Sequence, residues 1–272
     1  MHQAKAYGFL GGSFDPIHKG HLNLAKGVRR SLKLDKIFLI PNAAPPHKAG
    51  NTTSYESRLQ MTDLALESLN HRQYQVSRIE QDPKHRHYTY DTLKLLRQKY
   101  GEDTRLYFIM GMDSLLDLDI WHKGFELTDF ANLAVIDRPG SDLEHCEKKA
   151  LKDYLAAHVV YEPAAFADPL QLKQFSEALK EPKGKIFILR VPVMDVSSTA
   201  LRAELAKVSA QRSKRALGLE GTGSGQDFGA GTGSAAPGSD ITVFTGTLQH
   251  AVTPQVLRYI QNRGLYQNSN SR

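Results

Sequence analysis

Two histidines close to a pair of glycines are the residues of this sequence best suited to chemistry. They end the run Gly11-Gly12-Ser13-Phe14-Asp15-Pro16-Ile17-His18-Lys19-Gly20-His21, between an apolar segment and one of helical period. Residues three apart at a helix start share one face, beside backbone N–H groups without intrahelical partners, and such helix ends bind anions. Glycines let a ligand approach the backbone, and Gly20 would leave room for a nucleotide on the helix. The run predicts a phosphate or other anion site.

The elements that would position this run alternate between strands and helices. Apolar runs predict strands at 6–10, 36–40, 74–78, 106–110, 133–136 and 186–191, and helical periods predict helices at 20–32, 54–69, 89–100, 143–157, 198–207 and 253–263. Capping signals are Thr53 with Glu56 before the second helix, Gly101 after the third, and Thr253 and Gly264 around the last. The alternation predicts an α/β protein with a Rossmann-like, doubly wound, mostly parallel sheet and helices on both faces. Open sheets of this kind bind ligands beyond the carboxyl ends of their strands, where the glycine–histidine run falls.

One segment departs from the alternation. Residues 209–247 are rich in Gly, Ser, Ala and Thr and lack the apolar period needed to bury a face. Their glycine stretches have neither a strand before them nor a helix directly after them, so they do not fit a phosphate-binding loop. We predict one domain, residues 1–208 plus 248–272, interrupted by a flexible insertion at 209–247.

Composition narrows the function classes. The net charge of +6 favours acidic partners, either nucleotides or nucleic acid. The single cysteine, Cys146, excludes an internal disulfide, and no Cys/His cluster offers a metal site. The first ten residues do not resemble a signal peptide, and no apolar run approaches the roughly 18 residues that cross a bilayer. We therefore expect a cytoplasmic protein without a membrane partner.

In its context the run resembles the HxGH nucleotidyltransferase superfamily, and in particular the bacterial nicotinate mononucleotide adenylyltransferases. Further segments match that family in order: 40–48, 88–93, 108–114 with 121–122, 138–140, 196–202 and 253–266. The resemblance covers about residues 4–208 and 248–266. Two departures are Ser13, where Thr is commoner, and the length of the insertion.

The resemblance implies an enzyme of NAD biosynthesis that transfers AMP from ATP to nicotinate mononucleotide and releases pyrophosphate. The mononucleotide phosphate would attack in line, without a covalent enzyme intermediate. The catalytic residues implied are His18 and His21. Those implied for ATP and phosphate are Gly11, Gly12, Ser13, Phe14, Asp15, His47, Lys48, Gly111, Asp113, Ser197, Ser198, Thr199 and Arg202. Those implied for the mononucleotide are Thr89, Tyr90, Trp121 and His122. Mg²⁺ would arrive with ATP, the partners would not include nucleic acid, and a homo-oligomer stays open.

Each of the alternative functions would explain a single feature of the sequence. Phosphopantetheine adenylyltransferases and cytidylyltransferases share the first motif, but we would not expect them to carry the segments at 88–93 and 108–122. A class I aminoacyl-tRNA synthetase has an H-I-G-H-like element, but this chain is short and shows no K-M-S-K-S match. A basic nucleic-acid-binding protein would fit the net charge. Such a protein is expected to carry a platform of interleaved aromatic and basic residues, which this sequence lacks. For Arg138, a turn role and a phosphate role are equally compatible with the sequence.

Overall fold

The computed structural model describes residues 4–43, 53–82, 87–137, 143, 146–164, 166–216 and 244–267, with the backbone alone for 214–216. His47, Lys48 and Arg138 therefore lie outside the described residues. Within them, seven strands form one sheet in the order β3-β2-β1-β4-β5-β7-β6. The strands are β1 Ala6–Gly12, β2 Lys36–Pro41, β3 Tyr74–Val76, β4 Arg105–Gly111, β5 Asn132–Ile136, β6 Val159–Tyr161 and β7 Ile186–Leu189. All neighbouring pairs are parallel.

Helices cover both faces of this sheet. They are α1 Lys19–Ser31, α2 Tyr55–Leu66, α3 Thr89–Tyr100, α4 Met112–Leu116, α5 Lys149–His158, α6 Pro169–Ala178, α7 Ser198–Ala216, α8 Gly246–Ala251 and α9 Pro254–Asn262, with 3-10 turns at Leu118–Ile120 and Gly124–Asp129. Successive residues of β5 alternate between two buried clusters, Leu133 and Val135 in one, Ala134 and Ile136 in the other. The cluster with Leu133 includes α3, α4 and α5, and the other includes α1, α2 and α6 to α9. The predicted doubly wound fold is confirmed.

The strand order changes direction between β1 and β4. From β1 the chain continues to β2 on one side, while β4 and the later strands lie on the other. Connections that diverge in this way leave a crevice at the carboxyl ends of the two strands. Gly12 ends β1 and Gly111 ends β4, so both glycines lie at this crevice.

Several boundaries differ from the sequence prediction. Ser54, not Thr53, caps α2, because the Ser54 Oγ accepts a hydrogen bond from the backbone N–H of Ser57 at 3.2 Å. Helix α5 begins at Lys149, six residues later than predicted. Strand β6 and helix α6 were not predicted, since β6 has three residues and α6 exposes apolar residues that obscure its period. None of the described helices has the length and apolar character needed to cross a membrane.

The predicted bounds of the insertion were wrong at both ends. Helix α7 continues to Ala216, nine residues beyond the predicted end at 207. Phe244 is 7% exposed and belongs to the core. Arg212, Ser213 and Phe244 line one cavity of about 300 Å³, so the end of α7 and the returning chain lie side by side. Residues 217–243 lie outside the described residues. We propose that the flexible insertion is confined to them.

We expect deletion of residues 221–238 to preserve cooperative unfolding and the free energy of unfolding. The described residues on either side, Ser213 and Phe244, line one cavity, and changes in loop length cost only about 0.6 kcal/mol per doubling. The measurement is denaturant unfolding, compared with a wider deletion of 209–246. That control also removes the buried Phe244 ring and should lose about 3 kcal/mol. Equal losses in the two variants would contradict the revised boundaries.

Candidate active site

The sequence of the turn between β1 and α1 explains the backbone conformation of that turn. Phe14 adopts a positive φ of 47°, and its side chain is 1% exposed. A Cβ at Gly12 would lie 3.0 Å from the Phe14 ring, so a larger residue there would crowd the ring. The edge of the same ring meets His21, with 5.1 Å between ring centroids. Phe14 thus anchors the turn and supports one of the two histidines.

The two imidazoles of the run lie together at the first turn of α1. The His18 and His21 rings are stacked, with centroids 3.7 Å apart and planes at 28°. The backbone N–H of His18 donates to His21 Nδ1 at 3.3 Å. In the neutral ring this leaves the proton on His21 Nε2.

His18 is buried with one ring nitrogen unsatisfied. The side chain is 6% exposed, and its Nδ1 has no hydrogen-bond partner among the described residues. Burial lowers the pKa of His18 to about 4, so the ring is neutral at physiological pH. A buried polar atom without a partner costs free energy. This nitrogen faces Gly20 of α1, because a Cβ built on Gly20 would lie 2.8 Å from it, so the His18 ring is held against the start of the helix.

Gly20 leaves space for the His18 ring. A Cβ at this position would lie 2.8 Å from His18 Nδ1. The expectation that Gly20 also leaves room for a nucleotide stays a prediction. Glycine is needed here because a larger residue would displace the imidazole.

The N-terminus of α7 is tied to the same turn. Ser198 Oγ donates to the Pro16 carbonyl at 3.1 Å, and Arg202 Nη1 donates to the Asp15 carbonyl at 2.7 Å. Arg202 Nη2 also donates to Thr199 Oγ1 at 3.1 Å. Two helices thus begin at one turn, and their N-termini add positive potential to the same region.

Capping and exposure at the start of α7 suit a ligand. Ser197 Oγ accepts from the backbone N–H of Ala200 at 3.2 Å, as an N-cap side chain does. Ser197 and Thr199 are exposed, while Arg202 is half-buried. The predicted residues 197–199 and 202 therefore surround a helix start that can receive an anion.

A second group of predicted residues assembles around the start of α3. The His122 ring lies 4.4 Å from the Tyr88 ring and 5.9 Å from the Tyr90 ring. Trp121 is half-buried against the core. The first backbone N–H groups of α3, including those of Thr89 and Tyr90, have no intrahelical acceptors. Aromatic rings therefore lie beside the backbone amide donors at the start of α3.

The two glycines of β1 and the end of β4 complete the crevice. Gly11 is exposed and Gly12 half-exposed at the end of β1. Gly111 precedes α4, and Asp113 is exposed within the first turn of that helix. An exposed carboxylate at a helix start can accept hydrogen bonds from ligand hydroxyls.

The Asp15 carboxylate does not face the crevice in the manner of a ligand contact. It is 1% exposed and accepts from the Tyr266 hydroxyl at 2.5 Å and from the Thr53 backbone N–H at 3.4 Å. Sequence reasoning missed Tyr266, and it also missed the buried Arg58, whose guanidinium donates to the Ser13 carbonyl at 2.7 Å. A charged residue among the apolar positions of α2 was the available signal for Arg58.

We expect the His18 imidazole to titrate with a pKa of about 4 in an NMR experiment. Because the unfolded chain has the ordinary pKa near 6.5, it binds the proton first as the pH falls. Stability should therefore decrease as the pH falls from about 6.5 to 4, and His18→Gln should lose that part of the pH dependence. An imidazole pKa at or above the ordinary value would contradict the burial of His18.

The sequence is similar to those of known proteins. The model of the cytidylyltransferase-like family matches residues 9–204. A probable nicotinate-nucleotide adenylyltransferase of Shewanella sp. strain ANA-3 is 39% identical over 199 residues, which are 73% of this chain and 87% of the relative. One of Laribacter hongkongensis is 36% identical over 203 residues, covering 74% and 84%.

A solved structure has the same fold. The Plasmodium falciparum nicotinic acid mononucleotide adenylyltransferase, complexed with NaAD, superposes with a TM-score of 0.58 at 18% identity, covering 96% of this chain and 97% of the other. At that identity the likeness shows the fold alone, while the curated relatives carry the family assignment. On that sequence identity the chain belongs to the nicotinate-nucleotide adenylyltransferases, within the cytidylyltransferase-like family.

Proposed function

We propose that the chain transfers the AMP part of ATP to nicotinate mononucleotide, giving nicotinate adenine dinucleotide and pyrophosphate in NAD biosynthesis. The observation that carries this proposal is the stacked pair of His18 and His21 imidazoles at the start of α1. It lies in a turn that is also tied to the start of α7. A phosphate chain at this place would receive donors from an imidazole and from two helix ends.

The reaction needs no nucleophilic side chain. An oxygen of the mononucleotide phosphate, already an anion, attacks the α-phosphorus of ATP, and the bond to the bridging oxygen of pyrophosphate breaks. Transfers of this kind depend on positioning and on stabilisation of charge. His21, with its proton on Nε2, would donate to the oxygens on which charge develops. His18 would hold the neighbouring phosphate oxygen.

The remaining ATP contacts follow the crevice. Gly11, Gly12, Ser13 and Phe14 would offer backbone to the phosphates, with no Cβ at the first two. The N-terminus of α7 at 197–199, with Arg202, would hold the β- and γ-phosphates. Asp113 and the Gly111 backbone would contact the ribose. His47 and Lys48 remain predictions from the sequence.

Mg²⁺ would enter as part of the ATP complex. Among the described residues, no group of three or more His, Cys, Asp or Glu side chains is arranged to hold a metal ion. Phosphate and water ligands suit Mg²⁺, which keeps most of its waters in nucleotide sites. When bound, the ion would offset the negative charge of the triphosphate.

The mononucleotide would bind at the start of α3. The Trp121 ring would face the pyridine ring, and the backbone N–H groups near Thr89, Tyr90 and His122 would face the carboxylate. A helix N-terminus favours an anion, and N–H donors suit an acceptor-only group. This arrangement provides a physical reason for selecting the acid form.

We expect His21→Ala and His18→Ala to fold and to lose turnover by about 10²–10³ each, the scale for one preorganised donor. The assay is pyrophosphate release with ATP, Mg²⁺ and nicotinate mononucleotide. His71→Ala, an exposed histidine after α2, serves as the matched control and should keep wild-type turnover. A folded His21→Ala protein with wild-type turnover would refute the assigned chemistry.

We expect nicotinate mononucleotide to be preferred over nicotinamide mononucleotide by at least about tenfold in kcat/KM. The amide would direct its own NH₂ toward an N–H donor, which costs roughly 1–3 kcal/mol in a closed site. A free-energy difference of about 1.4 kcal/mol corresponds to a factor of ten in kcat/KM. Both substrates are compared at fixed ATP and Mg²⁺. Equal efficiency would refute the roles of 89–90 and 121–122 while leaving adenylyl transfer intact.

A further inference from the structure

A buried guanidinium ties three loops together behind the catalytic turn. Arg58 is 1% exposed. It donates to the carbonyls of Ser13 at 2.7 Å, Asn42 at 2.7 Å, Ala43 at 3.3 Å and Thr53 at 3.1 Å. These acceptors belong to the β1–α1 turn, the end of β2 and the segment before α2. One side chain therefore fixes the relative positions of the three.

A buried carboxylate links the same turn to the end of the chain. The Asp15 carboxylate accepts from the Tyr266 hydroxyl at 2.5 Å, across 251 positions of sequence. Tyr266 follows α9 and has a positive φ of 61°. The backbone N–H of Thr53, whose carbonyl accepts from Arg58, donates to the other Asp15 oxygen at 3.4 Å. Arg58, Asp15 and Tyr266 thus meet through shared neighbours.

The charge states of these groups support one another. Burial lowers the pKa of Arg58, and the negative charge of Asp15 opposes that change. Burial, and then the Asp15 charge and hydrogen bond, raise the pKa of Tyr266, so its hydroxyl stays protonated and donates. The Tyr266 hydroxyl therefore remains a donor to the Asp15 carboxylate.

We propose that Arg58, Asp15 and Tyr266 act as positioning residues that hold the turn bearing His18 and His21 in its reactive geometry. The proposal rests on the proposed function. It also changes the role expected for Asp15, whose carboxylate would hold the turn in place and would not contact a phosphate. A carboxylate facing a triphosphate would repel it, whereas one held by Tyr266 fixes the backbone three residues before His18. Displacements of about 1 Å at a reacting centre can reduce rates by two orders of magnitude.

Tyr266→Phe is the most conservative test, because it removes a single oxygen. We expect kcat to fall about tenfold, the scale of one lost hydrogen bond to a charged group, while KM for the mononucleotide changes less than about twofold. Tyr259→Phe is the matched control, since Tyr259 lies in α9, is half-buried and stacks near Arg263. It should keep the wild-type kcat.

A double-mutant cycle with Asp15→Asn separates positioning from general destabilisation. If both residues act through one hydrogen bond, the double variant should lose no more kcat than the more affected single variant. Losses that multiply, or an unchanged kcat in a folded Tyr266→Phe protein, would overturn the proposal. If one of the two single variants fails to fold, the kcat of the other single variant tests the proposal, and an unchanged value would overturn it.

An observation independent of turnover separates this proposal from the proposed function. In protein labelled at the histidine rings, Tyr266→Phe should shift the NMR signals of His18 and His21, and Tyr259→Phe should not. If the wild-type protein releases no pyrophosphate, the proposed function is wrong. The NMR signals of the His18 and His21 rings then test by themselves whether Tyr266 and Asp15 position the turn. Unchanged His18 and His21 signals in Tyr266→Phe would overturn it.

Discussion

The burial of the His18 imidazole at the first turn of α1 is the constraint on which the rest of the site depends. Its Nδ1 has no hydrogen-bond partner among the described residues, and leaving such an atom unsatisfied costs roughly 1–3 kcal/mol. The surrounding residues make this arrangement possible: Gly20 leaves space for the ring, and His21 stacks on it at 3.7 Å. The packing of these residues fixes the turn in which the proposed phosphate site lies.

The parallel sheet brings the positive ends of helices to one edge. In a sheet of parallel strands, each helix that follows a strand begins at the carboxyl edge, so α1, α3 and α7 all start there. Hydrogen bonds from Ser198 and Arg202 then tie the start of α7 to the turn before α1. The proposed substrates carry phosphates and a carboxylate, and both kinds of anion would meet helix N-termini.

The sequence predicted the sheet, the helices on both faces and the pairing of the two histidines, because these follow from local period and spacing. It missed contacts that depend on distant parts of the chain. The hydrogen bond between Tyr266 and Asp15 joins residues 251 apart, and no local pattern encodes it. The contact between Gly20 and the His18 ring was missed for a related reason, since the burial of that ring is set by tertiary packing. The end of α7 was misplaced because a helix can continue through basic and small residues without an apolar period.

The most direct test of this account is the His18 imidazole pKa measured with and without bound pyrophosphate. In the free protein, burial holds this pKa low, at about 4. The negative charge of a phosphate at this turn favours the protonated ring, so the account predicts a clear rise in the His18 pKa and a shift of its ring signals on binding. Saturating pyrophosphate that leaves the His18 pKa and signals unchanged would show that the phosphate site is not at this turn, and would contradict the account.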